Sequence, residues 1–160
     1  MALRHLAARY RALSAEIDAA YNELKALIEQ ARPELLTAHG VGVETAAQLL
    51  ATCGDNPDRL RSEGSFAALC GVSPVPASSG KTRRHRPNHG ADRQANRALY
   101  VVLLSRMSCD PSTRAYVERR TADGLSKREI IRCLKRYIAR PLYKIIVRPP
   151  MHVAESSVLA

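Results

Sequence analysis

Tryptophan is absent from this 160-residue sequence and phenylalanine occurs once. A core without large rings must be built from Ala, Leu, Val and Ile, which favours helices packed on helices. Four cysteines are present, Cys53, Cys70, Cys109 and Cys133, but none forms a C-x-x-C pair, so no zinc signature arises. Each lies in or beside an apolar helical pattern, and reduced, buried thiols are expected. No apolar run approaches the roughly 20 residues of a membrane-spanning helix, and no secretory signal is visible, so no membrane partner is expected. Acidic residues are scarce in one region. Residues 72–148 hold 18 Lys/Arg against 5 Asp/Glu, whereas residues 1–71 hold 7 against 9. Such a lopsided split of a +10 chain points to a polyanionic partner, with nucleic acid ahead of a merely soluble basic surface.

The densest cationic run is Lys81-Thr82-Arg83-Arg84-His85-Arg86, and it directly follows Ser78-Ser79-Gly80. An alcohol beside a glycine, where backbone can approach a ligand, and among fixed positive charges can attack or grip a phosphodiester. The same letters also suit an inert linker. His85 and His89 are four apart, but Pro87 and Asn88 disfavour a helix there and no further ligand completes a metal set, so no metal site is assigned. Asp92 is the one acid near this run and reads as a helix cap.

Along the chain, Leu3, Leu6, Tyr10, Leu13, Ile17, Ala20, Leu24 and Leu27 recur at spacings of three and four, a heptad seam over residues 3–28. Its partner is either another helix of the chain or a second copy; the strict repeat favours a homo-oligomer. Pro33 ends the pattern or starts the next helix. Residues 34–52 read as helix, tight turn and helix around Gly40-Val41-Gly42, which resembles a helix-hairpin-helix. Gly40 and Gly42 would let the backbone approach a phosphate, and the second helix would offer unpaired N–H groups to it. Glu44 beside the turn is unfavourable for an anion. A short helix is expected near residues 65–70, then an irregular stretch to residue 86 broken by Pro74, Pro76 and Gly80.

Helix resumes near Ala91 and runs to about Met107, with Ala95, Leu99, Val102 and Leu103 inward and Arg93, Arg97 and Arg106 elsewhere on its surface. Asp110-Pro111 starts the next helix, which stops near Gly124. Ser126 to Glu129 matches a capping box. The last helix is expected to bury Ile130, Ile131, Leu134, Tyr137, Ile138, Leu142 and Ile145. Arg128, Arg132, Arg136, Arg140, Lys144 and Arg148 recur along its flank, and Pro141 should kink or split it. Tyr100, Tyr116, Tyr137 and Tyr143 read as core residues. The predicted class is all-α without a convincing strand: a coiled-coil-like helix at 1–32, a helical domain at 33–148 with a long basic loop, and a flexible tail at 149–160.

Five pieces then stand in order: Gly40-Val41-Gly42; Leu49-Leu50-Ala51 leading to Gly54-Asp55; Phe66-Ala67-Ala68-Leu69-Cys70-Gly71-Val72-Ser73-Pro74; Ser78-Ser79-Gly80-Lys81; and Asn96-Arg97-Ala98-Leu99-Tyr100. No single piece is specific; their order and spacing are. Residues from about 35 to 146 resemble the C-terminal transposase domain of the insertion-sequence 110 group, the serine-dependent, RNA-guided recombinases of bacterial mobile elements. The helix at 3–28 looks like that family's coiled-coil connector.

The resemblance implies a serine that attacks a DNA phosphate and forms a transient phosphoserine link. The family serine precedes a glycine, which places the role on Ser79, with Ser78 as the fallback. Lys81, Arg83, Arg84 and Arg86 would supply the cations, with Arg93 and Arg97 adding to the nucleic-acid surface. It also implies an N-terminal RNase-H-like domain whose four acids bind magnesium. The sequence begins at the connector, so no cofactor is expected within it and a truncated copy is the expectation, with DNA binding but no efficient strand exchange alone. DNA is the expected partner, a guide RNA a further one, and the bacterial cytoplasm, at the nucleoid, the expected location. The alternative reading is a non-catalytic helix-hairpin-helix module for DNA or structured RNA.

Overall fold

The structure, a computed structural model, describes residues 1–54, 60–76, 85, 86, 88 and 90–147, with 85 and 86 described by backbone alone. It is all-α. A long first helix, α1 (Ala2–Ala31), leads into a single turn, α2 (Glu34–Thr37), and then α3 (Val43–Cys53) and α4 (Glu63–Leu69). After a minimal ladder come α5 (Arg93–Cys109), α6 (Pro111–Ala122) and α7 (Lys127–Val147). The ladder pairs β1 (Val75–Pro76) antiparallel with β2 (His85–Arg86). It is a small departure from the irregular stretch expected from Pro74 and Pro76. Proline lacks only a donor, and a two-residue edge tolerates it.

The helix boundaries follow local chemistry. Asp92 Oδ1 accepts from the amides of Gln94 and Ala95 at 2.7 and 2.8 Å, capping α5 as expected. Asp110 caps α6 through Ser112 and Thr113, and those two hydroxyls hold its carboxyl well below the usual carboxylate range. Glu129 accepts from the Ser126 amide at 2.9 Å, the predicted box at the start of α7. Pro141 does not split α7, which continues as one helix to Val147. Buried Ile138 and Ala139 before the proline and Leu142 and Ile146 after it hold both halves in the core.

α5 is the centre of the core. It packs against α3, α6 and α7, and α4 closes against α7. Phe66, Leu35, Leu49, Leu99, Leu103, Ile138 and Leu142 are fully buried. Two expectations about α7 fail. Tyr137 is 65% exposed, and Ile146 takes an inward place while Ile131 and Ile145 are half-buried. Successive helical residues turn by about 100°, so Tyr137 lies well off the stripe defined by Leu134, Ile138 and Leu142. Of the four tyrosines, Tyr116 and Tyr143 are half-buried and packed against the core, Tyr143 also donating to the Leu60 carbonyl at 2.9 Å, whereas Tyr100 and Tyr137 are exposed. The thiols also divide: Cys53 and Cys70 are buried, whereas Cys109 and Cys133 are exposed, contrary to the expectation for all four.

The seam of α1 meets no partner within the described residues. Ile28, beside the seam, is the one buried residue of α1, while Leu6, Tyr10 and Ile17 are 65–72% exposed. Its C-terminal end is fastened by Arg32, whose Nε donates to the Ile146 carbonyl at 3.1 Å. The expected tail at 149–160 lies outside the described residues. No described helix is long and apolar enough to cross a membrane.

Candidate functional site

Two segments flanking residues 77–84 are clamped to the C-terminal end of α4. The Asp92 amide donates to the Leu69 carbonyl at 2.9 Å. The Asn88 side chain donates to the Ala68 carbonyl at 3.2 Å, and the Asn96 side chain to the Cys70 carbonyl at 2.8 Å. The later flank thus takes the Leu69 and Cys70 carbonyls and shares that of Ala68 with the Gly71 amide, while on the earlier flank the Val72 and Ser73 amides donate to the Ala67 carbonyl at 2.8 and 3.0 Å. Gly71 turns there with φ +69, and a Cβ on it would stand 2.9 Å from Ala91 Cβ and 3.1 Å from Asn96 Nδ2. Cys70 beneath this turn is inert, since burial pushes its thiol up to about 12, helped by the neighbouring Cys53 and Asp92.

The clamp and the short ladder bracket the segment that carries Ser78, Ser79, Lys81, Arg83 and Arg84, all of which lie outside the described residues. Of the predicted cations here, Arg86 has its backbone in β2. Arg93 and Arg97 are exposed at the start of α5.

Beside the clamp opens a groove of about 1810 Å³, walled by residues 71–74 and by parts of α5, α6 and α7. Arg93, Arg106, Arg119, Arg128, Arg132 and Lys135 are among its lining cations. The cationic flank of α7 is not uniform. Arg136 and Arg140 share the Glu63 carboxylate, at 2.8 and 3.1 Å, and so fasten α7 to α4. Lys135 instead points its ammonium at Asn96 Oδ1, 2.7 Å away. Burial pushes the Lys135 ammonium below the ordinary lysine value.

The two glycines predicted for phosphate contact separate. Gly40 turns with φ +77 against α5, where a Cβ would meet the Val102 carbonyl and Arg106 Cγ at 3.1 Å. Arg106 Nε also donates to the His39 carbonyl at 2.8 Å, so this turn is fastened to the core. Gly42 is exposed at the start of α3, with nothing within 4 Å of a Cβ built on it. Its amide donates to Thr45 Oγ1 at 2.9 Å. The geometry therefore gives Gly40 a packing reason to be glycine and leaves the mouth of α3 at Gly42 open.

Sequence reasoning missed Lys135, Asn96 and Glu63. Asn96 belongs to a stretch singled out above, but its contacts reach 26 and 39 residues away. Lys135 breaks the four-residue series of arginines by one position, a signal visible in the letters. Among the described residues no three His, Cys, Asp or Glu side chains gather into a set able to hold a metal ion. The described part of the chain therefore does not fit the magnesium site implied for an RNase-H-like domain.

Residues 32–118 match the family model described as Transposase IS116/IS110/IS902 family. The chain is 33% identical over 140 residues to the insertion element IS110 uncharacterized 43.6 kDa protein of Streptomyces coelicolor, covering 85% of this chain and 32% of that protein. It is 32% identical over 104 residues to the insertion element IS900 uncharacterized 42 kDa protein of Mycobacterium paratuberculosis, covering 64% of this chain and 26% of that one. The chain thus spans about a third or less of the curated relatives it matches. With more than half of its residues inside the family model, bracketed segment and clamp included, the chain belongs to the IS116/IS110/IS902 transposase family.

Proposed function

We propose that this chain is the DNA-binding, serine-bearing part of a transposase that moves an insertion sequence, with Ser79 as nucleophile and Ser78 as its fallback. The observation that supports this reading is the family match, whose bounds, residues 32–118, include the Ser78-Ser79-Gly80-Lys81 stretch between the two clamped segments. In the proposed step the Ser79 oxygen bonds to a DNA phosphorus as the phosphorus–sugar oxygen bond breaks. The serine proton leaves to a base and the departing sugar oxygen gains one. Lys81, Arg83, Arg84 and Arg86 offset the charge that builds on the phosphoryl oxygens. The seam of α1 is proposed to pair with a second copy, so that two such centres act on two strands. An acidic, magnesium-binding domain of a longer protein would complete the reaction, and a guide RNA would be a further partner, both on the strength of the resemblance alone. The bacterial cytoplasm is the corresponding location.

The test supplies an RNase-H-like domain of the family in trans with labelled insertion-sequence-end DNA. The parent chain should form a covalent, protease-sensitive DNA adduct. Ser79→Ala should abolish it while leaving DNA affinity within about twofold. An adduct that survives both Ser79→Ala and Ser78→Ala overturns the assignment.

A second reading, a non-catalytic module that grips nucleic acid through the backbone, is favoured by the open mouth of α3 at Gly42. Helix N-termini attract phosphate. Affinity without any adduct in the same assay selects it.

A further inference from the structure

Lys135 stands apart from Arg136 and Arg140, the α7 cations that Glu63 neutralises. It is half-buried, its ammonium donates to a neutral amide, and no carboxylate pairs with it among the described residues. An ammonium has three donors, and Asn96 takes one. Asn96 in turn is held by the Cys70 carbonyl and abuts Gly71, where no larger residue fits without displacing it. The chain of contacts from Cys70 through Asn96 to Lys135 therefore fixes an ammonium one side chain away from the Cys70–Gly71 turn, in the groove that residues 71–74 also line. Arg93, Arg128 and Arg132 line the same groove. Its acids have other duties: Asp92 caps α5, and Glu129 holds the start of α7. A partly desolvated cation with spare donors, oriented by an amide rather than neutralised by an acid, is built to receive an anionic oxygen.

We propose that Lys135, positioned by Asn96, is a phosphate-binding residue that receives a phosphodiester oxygen of the nucleic-acid strand lying along residues 71–74. This rests on the reading of the chain as a nucleic-acid-binding protein, not on the role of Ser79. The residue belongs to α7, beyond the end of the family model match at 118.

The experiment measures the affinity of the full chain for a 30-base-pair DNA duplex and for an RNA hairpin, across a series of NaCl concentrations. Lys135→Met keeps the packed stem and removes the charge. On the probe that uses the site, it should weaken binding about tenfold at low salt and flatten the log–log salt slope by about 0.9. Lys135→Arg should restore the slope, and Asn96→Ala should weaken binding with the slope retained. Lys25→Gln, on α1, should match the parent. Loss on DNA or on RNA supports the proposal and says which strand lies there. Parent-like slopes on both probes overturn it. Should Lys135→Met fail to fold by circular dichroism, Lys135→Gln and the Lys135→Arg slope decide in the same way. Absence of parent binding to either probe would overturn the nucleic-acid reading itself, a different result from an unchanged slope.

Discussion

Gly71 carries two constraints at once, a left-handed backbone and a neighbour at contact distance. Any Cβ there both strains φ and pushes on Ala91 and on the amide that orients Lys135. Gly71→Ala should therefore destabilise the chain by about 1–3 kcal/mol, read as a lower urea midpoint with an unchanged slope. A midpoint equal to the parent's would mean the turn relaxes freely, and the clamp on α4 would be looser than the contacts imply. Gly54 offers the comparison: its φ is +61 but a Cβ there meets nothing within 4 Å, so alanine should cost strain alone. The glycines most conspicuous in the letters, Gly40 and Gly42, differ in both respects. Their spacing announces a turn, yet the left-handed φ of Gly40 and the packing of Arg106 and Val102 around it separate a structural glycine from one open to a ligand.

At the scale of elements, periodicity carried the reading far. The extent of α1, the caps at Asp92 and Asp110, the box at Ser126 and the inward faces of α5 and most of α7 follow from spacing alone. Contacts distant in sequence were not legible. The tie from Arg32 to Ile146 and the one from Lys135 to Asn96 depend on how helices stack, and no local pattern encodes them. Tyr137 faces solvent because it follows Leu134 by three residues and precedes Ile138 by one, a spacing that looks periodic in the letters but turns the ring well away from the buried stripe. The helix α1 extends about 45 Å at 1.5 Å per residue, and its apolar seam is exposed over most of that length. A lone helix of this kind is marginal in water without a packed face. Ile17 sits near the middle of the seam, 65% exposed. Ile17→Glu should convert a dimer of the parent into a monomer in sedimentation equilibrium and lower the helical circular dichroism. A parent that is monomeric at micromolar concentration removes the second copy from the account.

For the whole molecule the decisive quantity is the separation of charge along the chain. The acid-rich first part supplies α1, α3 and α4, while the cation-rich remainder supplies α5, α6 and α7 around the groove. Like charges gathered at this density repel one another in the folded state, and anything that neutralises them stabilises it. Part of the repulsion is met internally, since Glu63 pairs with both Arg136 and Arg140. The exposed cations Arg93, Arg97, Arg114 and Arg128 meet no such carboxylate among the described residues and leave the rest to a partner. Two effects of salt then oppose each other. Added NaCl screens the repulsion and raises the stability of the free chain, yet it weakens the grip on a polyanion by making counterion release less favourable. A duplex DNA ligand at about a hundred times its Kd should stabilise the native state by about 2.7 kcal/mol, a rise in Tm of about 5–10 °C for a chain of this size. Because affinity falls steeply with ionic strength, the same DNA concentration should give almost no rise at about 0.5 M NaCl, where the free chain itself melts higher. Differential scanning fluorimetry across the salt series separates the two effects. A DNA-induced shift that persists undiminished at high salt would mean that apolar contact rather than phosphate neutralisation holds the strand, and the cationic groove would lose its role as the binding surface.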